Sequence, residues 1–274
     1  MSSLSVTVID VGWGDSILLT WENGGPPHFG LIDSNDTKYY RSSYIFLKRF
    51  FEKEGVDTDN KPVFDFVILS HAHSDHGQGL KEIMSTFGTR HFWYPKSLEG
   101  ASLASLIRYA NRSRNVTHHQ AIDNTKILPS FGNAALEVLW PPYNQISSDE
   151  NNNSIVLSVT DNNATFLLTG DAEEDVWQQI AGNIPGNTEF FKVPHHGSVN
   201  GTFDGAGGTP WLDHCPQAAR LAISSHVRPF SHPDPQVVNA FANRNYSFFR
   251  TDEEYHVTCT ADDQGVHVKY SHTQ

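Results

Sequence analysis

Residues 64–79 read FDFVILSHAHSDHGQG, and the rest of the chain is best understood outward from them. Phe64 to Leu69 is a short run, apolar but for Asp65, between polar loops, the pattern of a strand buried on both faces of a sheet. It ends in three imidazoles and a carboxylate, His71, His73, Asp75 and His76, within six residues. A loop leaving a buried strand end can turn alternate side chains toward one point. Neutral imidazole with carboxylate suits borderline divalent ions, zinc first, with manganese or iron also accommodated. His71 and His73 can hold one ion while Asp75 and His76 face a second. A histidine-rich polar loop is the competing explanation, but this spacing directly after a strand favours ligands.

Around this stretch the chain alternates between strand and helix patterns. LSVTVID (4–10), SILLTW (16–21) and HFGLID (28–33) predict a meander, and residues 37–54 predict an amphipathic helix stopped at Gly55. Another helix is expected from near Gly79. Farther on, ALEVLW (135–140), SIVLSVT (154–160) and ATFLLTG (164–170) predict strands, and AEEDVWQQIAG (172–182) a helix with acidic residues in its first turn. EFFKVP and ARLAIS read as strands, PQVVNAFANR as a helix, and SFFRT, YHVTCT and GVHVKY as closing strands. Two runs of strands, each followed by helices and with chemistry at strand ends, predict an α/β fold: an αββα four-layer sandwich formed by residues 1–274 as a single domain. The glycine-rich loop 201–210 is the one segment expected to be mobile, a loop or a lid.

Composition narrows the functional classes. Nineteen Lys and Arg stand against 31 Asp and Glu, a net charge of −12, which disfavours long polyanions unless basic residues gather locally. Arg108, Arg112 and Arg114 beside His118 and His119 are one such group, read foremost as a solvated face. Cys215 and Cys259 are the only cysteines. Without paired spacing they speak against a disulfide framework and for buried apolar thiols in a reducing compartment. No leader and no run of about 20 apolar residues is present, so the expectation is a cytoplasmic protein without membrane contact. Histidine is abundant, with 15 copies.

Several of these fall at other strand ends. Asp171, in LLTGDAEED, can bridge two metals through its two oxygens or serve as an ordinary helix cap. In KVPHHGS, one of His195 and His196 can be a ligand while the other binds substrate, and the sequence does not choose between them. Asp33 at the end of GLID is placed to accept from a ligand imidazole, with a turn role as the alternative. His232, in FSHPDP, can reach the site or remain in solvent.

Taken together, VIDVGWGDSILL, LIDS, VILSHAHSDHGQGL, NNNSIVLSV, FLLTGDAEE, FKVPHHGS, SHP and FRTDEE resemble the metallo-β-lactamase superfamily. Within it they resemble the branch containing the C-terminal domain of the competence protein ComEC. The motifs run in the family's order from about residue 6 to 255. The resemblance implies that His71, His73, Asp75, His76, Asp171 and one of His195 and His196 are metal positions, with Asp33 supporting them. Two departures stand out. Many members carry Gly-His-Thr before the strand leading to the bridging Asp, and this chain has DENNNS. Trp13 stands where the branch has Gln, and SSHVRPFSHP replaces its usual Gly, Asn and Tyr.

The expected activity is a phosphodiesterase or nuclease acting on a small nucleotide or single-stranded nucleic acid. Two divalent ions, Zn2+ or Mn2+, would lower the pKa of a shared water to about 7. Asp75 would orient that water or take its proton, while His196, Ser198 and His232 would stabilise developing negative charge. A carbonyl substrate such as a lactone, thioester or β-lactam is the alternative, and a catalytically weak binding module the third reading.

Overall fold

The structure, a computed structural model, describes residues 2–98, 100–226 and 228–271. The first half contains β1 (Ser3–Val8), β2 (Ile17–Glu22), β3 (His28–Ile32), α1 (Ser42–Lys53), β4 (Phe64–Ile68), α2 (Ser74–Gly77), α3 (Leu80–Phe87), β5 (Thr89–Tyr94), α4 (Ala101–Ala110) and β6 (Val116–Ala121). The second contains β7 (Ala135–Trp140), β8 (Val156–Asp161), β9 (Ala164–Leu168), α5 (Glu174–Ile180), β10 (Thr188–Lys192), β11 (Arg220–Ile223), α6 (Pro235–Asn243), β12 (Ser247–Arg250), α7 (Thr251–Glu254), β13 (Val257–Asp262) and β14 (Gly265–Tyr270).

One sheet runs β14-β13-β1-β2-β3-β4-β5-β6 and the other β12-β11-β10-β9-β8-β7. The closing strands therefore divide. β12 joins the second sheet, while β13 crosses back to pair with β1 in the first and β14 pairs with β13 at its edge. Strands β3 to β6 are mutually parallel, as are β9 to β12. Parallel neighbours need crossover connections, and these place helices on the outer faces.

The burial pattern fixes the layers. Val6, Leu19, Phe66 and Trp93 of the first sheet meet Leu157, Phe166, Leu168 and Phe190 of the second in a shared core. Outside the first sheet, Phe64, Val67 and Phe92 pack against Leu47 and Phe51 of α1 and Ile83, Met84 and Phe87 of α3. Outside the second, Leu167, Phe191 and Leu221 pack on Val176 and Trp177 of α5 and Phe241 of α6. The molecule is a four-layer αββα sandwich. β4 is apolar but for Asp65 because its residues divide between two buried layers: Phe66 and Ile68 lie in the inter-sheet core, and Phe64 and Val67 lie against the helices. Gly30 permits this packing, since a Cβ there would lie 2.2 Å from the Phe66 ring.

Several boundaries move for local reasons. The helix expected from 37 starts at Ser42, because the Asp36 carboxylate accepts the N–H groups of Ser43 and Tyr44 and so ends the turn before it. The segment expected as helix from Ala172 starts at Glu174. Val193 and Pro194 fall outside β10, where proline cannot donate to a ladder. Strands β5 and β6 and helix α4 are additional to the sequence reading. Segment 201–210 is a hydrogen-bonded turn: Asp204 Oδ1 accepts from Ala206 and Gly208 N–H, and Trp211 Nε1 donates to Gly201 O. Cys215 and Cys259 are buried free thiols, and burial pushes both from an ordinary 9.0 up to about 12. Among the described residues, no helix is long and apolar enough to cross a membrane.

Candidate metal centre

The ends of four parallel strands, β3 and β4 from one sheet and β9 and β10 from the other, open on the same edge of the sandwich. Ligand sites in open α/β sheets collect at such carboxyl ends. After β4 the chain turns sharply at Ser70, whose N–H donates to Asp33 Oδ1 at 2.7 Å and whose hydroxyl donates to Asp33 Oδ2 at 2.6 Å. Asp33 Oδ2 also lies 2.7 Å from His76 Nδ1. This contact orients His76: Nδ1 faces Asp33, which leaves Nε2 turned to the interior, where its lone pair is available to a cation whenever the imidazole is neutral. His71 Nδ1 is held by Ser70 Oγ at 3.1 Å, which leaves its Nε2 facing His73 Nδ1, also at 3.1 Å.

The second sheet supplies the centre of the group. Asp171 follows β9 and does not cap a helix, since the residue at that position of α5 is Glu173. Instead its carboxylate is buried among imidazoles. Asp171 Oδ2 lies 3.3 Å from Nε2 of both His76 and His196, 3.9 Å from His71 Nε2 and 4.0 Å from His195 Nε2. Asp75 Oδ2 stands 3.9 Å from His76 Nε2. His195 and His196 both adopt positive φ, at 45° and 55°, a conformation that costs non-glycine residues on the order of 1–2 kcal/mol each. The strained turn sends their side chains apart. His196 is fully buried, with Nδ1 donating to Ser224 O at 3.0 Å and Nε2 turned to Asp171. His195 is partly exposed, with Nδ1 2.8 Å from Glu173 Oε1.

Electrostatics follow from this crowding. Burial alone would raise Asp171, but His196, His76 and His195 around it hold its carboxyl well below the usual range. Burial would lower His76, yet Asp171 and Asp33 outweigh it and hold the imidazole well above its ordinary value. His71 is pushed well below, by burial first and by His76 next. Buried His76 Nε2, His196 Nε2 and Asp171 Oδ1 have no hydrogen-bond partner. Unpartnered lone pairs in a dry site are costly unless a cation satisfies them. Nitrogen and carboxylate donors without thiolate are what a divalent ion of the zinc or manganese kind takes. The sets His71–His76–Asp171 and Asp75–His76–His196 each hold three donor atoms within 4.8 Å of one another, so the residues present fit such ions.

Above the buried group lies an open cleft of about 520 Å³ lined by His73, Asp75, Asp171 and His195 together with Asn151 and Trp13. His232 sits at its rim, its ring 5.9 Å from His195 and 5.6 Å from Trp13, and burial followed by His195 and His196 lowers its pKa. Ser198 does not line this cleft: it is buried behind the His195–His196 turn, its N–H donating to His195 O and its Oγ accepting from Gly201 N–H. The DENNNS segment forms a short 3-10 turn, Asn151–Asn153, against the site. Asn151 Nδ2 donates to Glu173 Oε1 at 2.9 Å, and its buried Oδ1 has no hydrogen-bond partner. A neutral oxygen therefore stands on the cleft wall in the segment where the family carries a histidine. Arg108, Arg112 and Arg114 are exposed, a solvated face.

Glu173, Asn151 and the buried pair Lys192–Asp15, 3.0 Å apart beneath His196, were not singled out by sequence. Glu173 reads there only as an acidic first turn, and Asp15 only as part of VGWGDS. Gly14 lets this last loop approach, since a Cβ on it would meet Asp75 O at 2.2 Å.

The family model described as "Metallo-beta-lactamase superfamily" matches residues 56–204. ComE operon protein 3 of Bacillus subtilis (strain 168) is 25% identical over 266 residues, covering 90% of this chain and 32% of that protein. Competence protein ComA of Neisseria gonorrhoeae is 25% identical over 251 residues, 90% of this chain and 31% of that protein. The chain thus spans about a third of the length of these relatives. Among solved structures, Igni18, a novel metallo hydrolase from the hyperthermophilic archaeon Ignicoccus hospitalis KIN4/I, aligns with a TM-score of 0.55 at 14% identity, covering 95% of this chain and 99% of that one. At that identity the likeness is one of fold.

Proposed function

The chain belongs to the metallo-beta-lactamase superfamily, and from that premise we propose that it is a metal-dependent phosphodiesterase acting on a nucleotide or single-stranded nucleic acid. The observation that carries the proposal is Asp171, a buried carboxylate surrounded by four imidazoles drawn from both sheets, with unpartnered donor atoms facing inward. His71, His73 and Asp171 would hold one divalent ion, and Asp75, His76, His196 and Asp171 the second. When bound, the ions supply Lewis acidity toward water and the phosphoryl oxygens.

The chain's own residues do the rest. Asp33 and Ser224 O fix His76 and His196 so that Nε2 faces the centre, and Glu173 does the same for His195. Asp75, on the cleft wall, would orient the attacking water and take its proton. Water adds to phosphorus, one P–O ester bond breaks, and the leaving oxygen ends protonated. His232 at the rim, uncharged at neutral pH, would hydrogen-bond a phosphoryl oxygen. Asn35, Ser74, Gln78 and Asn151 make the cleft walls polar. Such walls suit an anionic phosphodiester better than the apolar acyl group of a lactone or thioester. The competence name of one relative also supports a nucleic-acid substrate.

The test is metal analysis followed by a panel in zinc and manganese: bis(p-nitrophenyl) phosphate, single-stranded DNA, cyclic dinucleotides and simple lactones. Hydrolysis of phosphodiesters by protein carrying two ions per chain is expected. Turnover of lactones alone would replace this reading, and protein purified without chelators that holds no divalent ion would point to a binding module.

A further inference from the structure

The rim of the cleft carries aromatic side chains that neither the donor set nor the core requires. Phe230 is 60% exposed. Its ring centroid lies 4.5 Å from that of Trp13, which packs in turn 4.7 Å from His196. Trp13 is braced from behind: Asn35 Nδ2 donates to its carbonyl, Gln78 Nε2 donates to Asn35 Oδ1, and Ser224 Oγ donates to Gly14 O at 2.6 Å. An exposed ring on a rigid backing is costly to leave in water and ready to stack.

Trp13 also divides two openings. On one side is the metal cleft, on the other a second cleft of about 490 Å³ reaching Tyr40, His226 and Arg228. Tyr40 is 75% exposed. Arg228 has no carboxylate partner among the described residues; Asp10, which lines the same cleft, accepts Gly12 N–H at 3.0 Å through Oδ1. An anion-binding cleft, an aromatic ridge and a second cleft with a free guanidinium repeat the alternation of phosphate and base along a single strand.

We propose that Phe230, backed by Trp13, is a base-stacking subsite through which a single-stranded oligonucleotide passes from the metal cleft into the second cleft, where Arg228 meets a neighbouring phosphate. This rests on the phosphodiesterase reading and deepens it: the substrate is an oligonucleotide with at least one unpaired base, in preference to a phosphodiester without one. Duplex ends are disfavoured, since the stacking face of a paired base is already covered.

The test uses metal-loaded full chain with a fluorescein-labelled thymidine octamer and the same octamer made abasic. Wild-type protein should bind the base-bearing strand about tenfold more tightly by anisotropy and show the same ratio in KM, with kcat alike on both. In Phe230→Ala the ratio should collapse toward one, and Phe230→Trp should restore it, with metal content and circular dichroism unchanged. Arg228→Gln should weaken both strands and lower the salt slope by about one. A wild-type ratio of one, or a ratio that survives in Phe230→Ala, overturns the subsite. Cleavage of neither strand by metal-loaded protein removes the phosphodiesterase reading instead, while the anisotropy ratio still judges the stacking.

Discussion

Two histidine-rich regions of this chain look alike in composition and differ in everything that makes a ligand. In the first, His71, His76, His195 and His196 converge on buried Asp171 from the ends of strands in both sheets, with His73 against His71. The second, His91, His118 and His119, lies along neighbouring strands β5 and β6, where β6 is the sheet edge. There, His91 and His118 stack 5.3 Å apart, and His119 spends its nitrogens on Tyr94 Oη and Asn111 Oδ1. The second region has open water and local partners but no buried carboxylate at its centre. What distinguishes a metal site is therefore the forced meeting of lone pairs away from solvent, and abundance of imidazole matters little.

That comparison can be broken in order of effect. Asp171→Ala should abolish bound metal and hydrolysis together while circular dichroism stays native, and His73→Ala should do the same, because both sit on loops at strand ends. A variant retaining full metal occupancy would show that the centre lies elsewhere. Next, Asp33→Asn leaves the donors in place but loosens His76, so metal affinity should fall about 10–100-fold in competitive chelator titrations. An unchanged affinity would reduce Asp33 to a turn residue.

The two regions should also respond oppositely to pH once the protein is stripped of metal. His76 has a folded pKa raised by Asp171 and Asp33 beyond the opposing burial. Its contribution is thus complete below the ordinary value near 6.5 and is lost as pH rises through the folded value. His91 is lowered, by burial first and His118 next. Its contribution is present above 6.5 and is lost as pH falls. Histidine-ring NMR of chelator-treated protein should show His76 titrating above the ordinary imidazole value and His91 below it. The same sign for both would break the contrast. Smallest of all, His118→Ala with His119→Ala should leave metal content and hydrolysis intact and shift stability by no more than about 0.5 kcal/mol per site.

Legibility in the sequence followed locality. HAHSDH could be read directly because its four side chains leave one strand within six residues, and β4 announced itself through residues buried on both faces. The helix boundaries at Ser42 and Glu174 were less legible, since one is set by the Asp36 carboxylate and the other by a residue beside the site, both outside the periodic pattern. β5 and β6 escaped notice because β6 alternates polar residues along an edge, without the apolar run that marks a buried strand. Likewise Ser198 resembled a site residue through its neighbours in PHHGS, while the fold buries it outside the cleft lining with its Oγ accepting from Gly201 N–H.

By itself the sequence determined the layered αββα plan and the grouping of His71, His73, Asp75 and His76 at one strand end, because hydrophobic period and strand-end clustering are short-range properties. Only the tertiary structure decided how Asp171 meets that group, which of the paired histidines turns inward, and that Phe230 stands beside Trp13. The first and last of these join residues about 95 to 217 positions apart, and even the shorter spans from His196 to Asp171 and Ser224 cross between separate strand ends, so nothing in a local pattern specifies them. The packing of two sheets brings their strand ends to a common edge, and there burial, by removing water, makes a carboxylate and several imidazoles answer to one another.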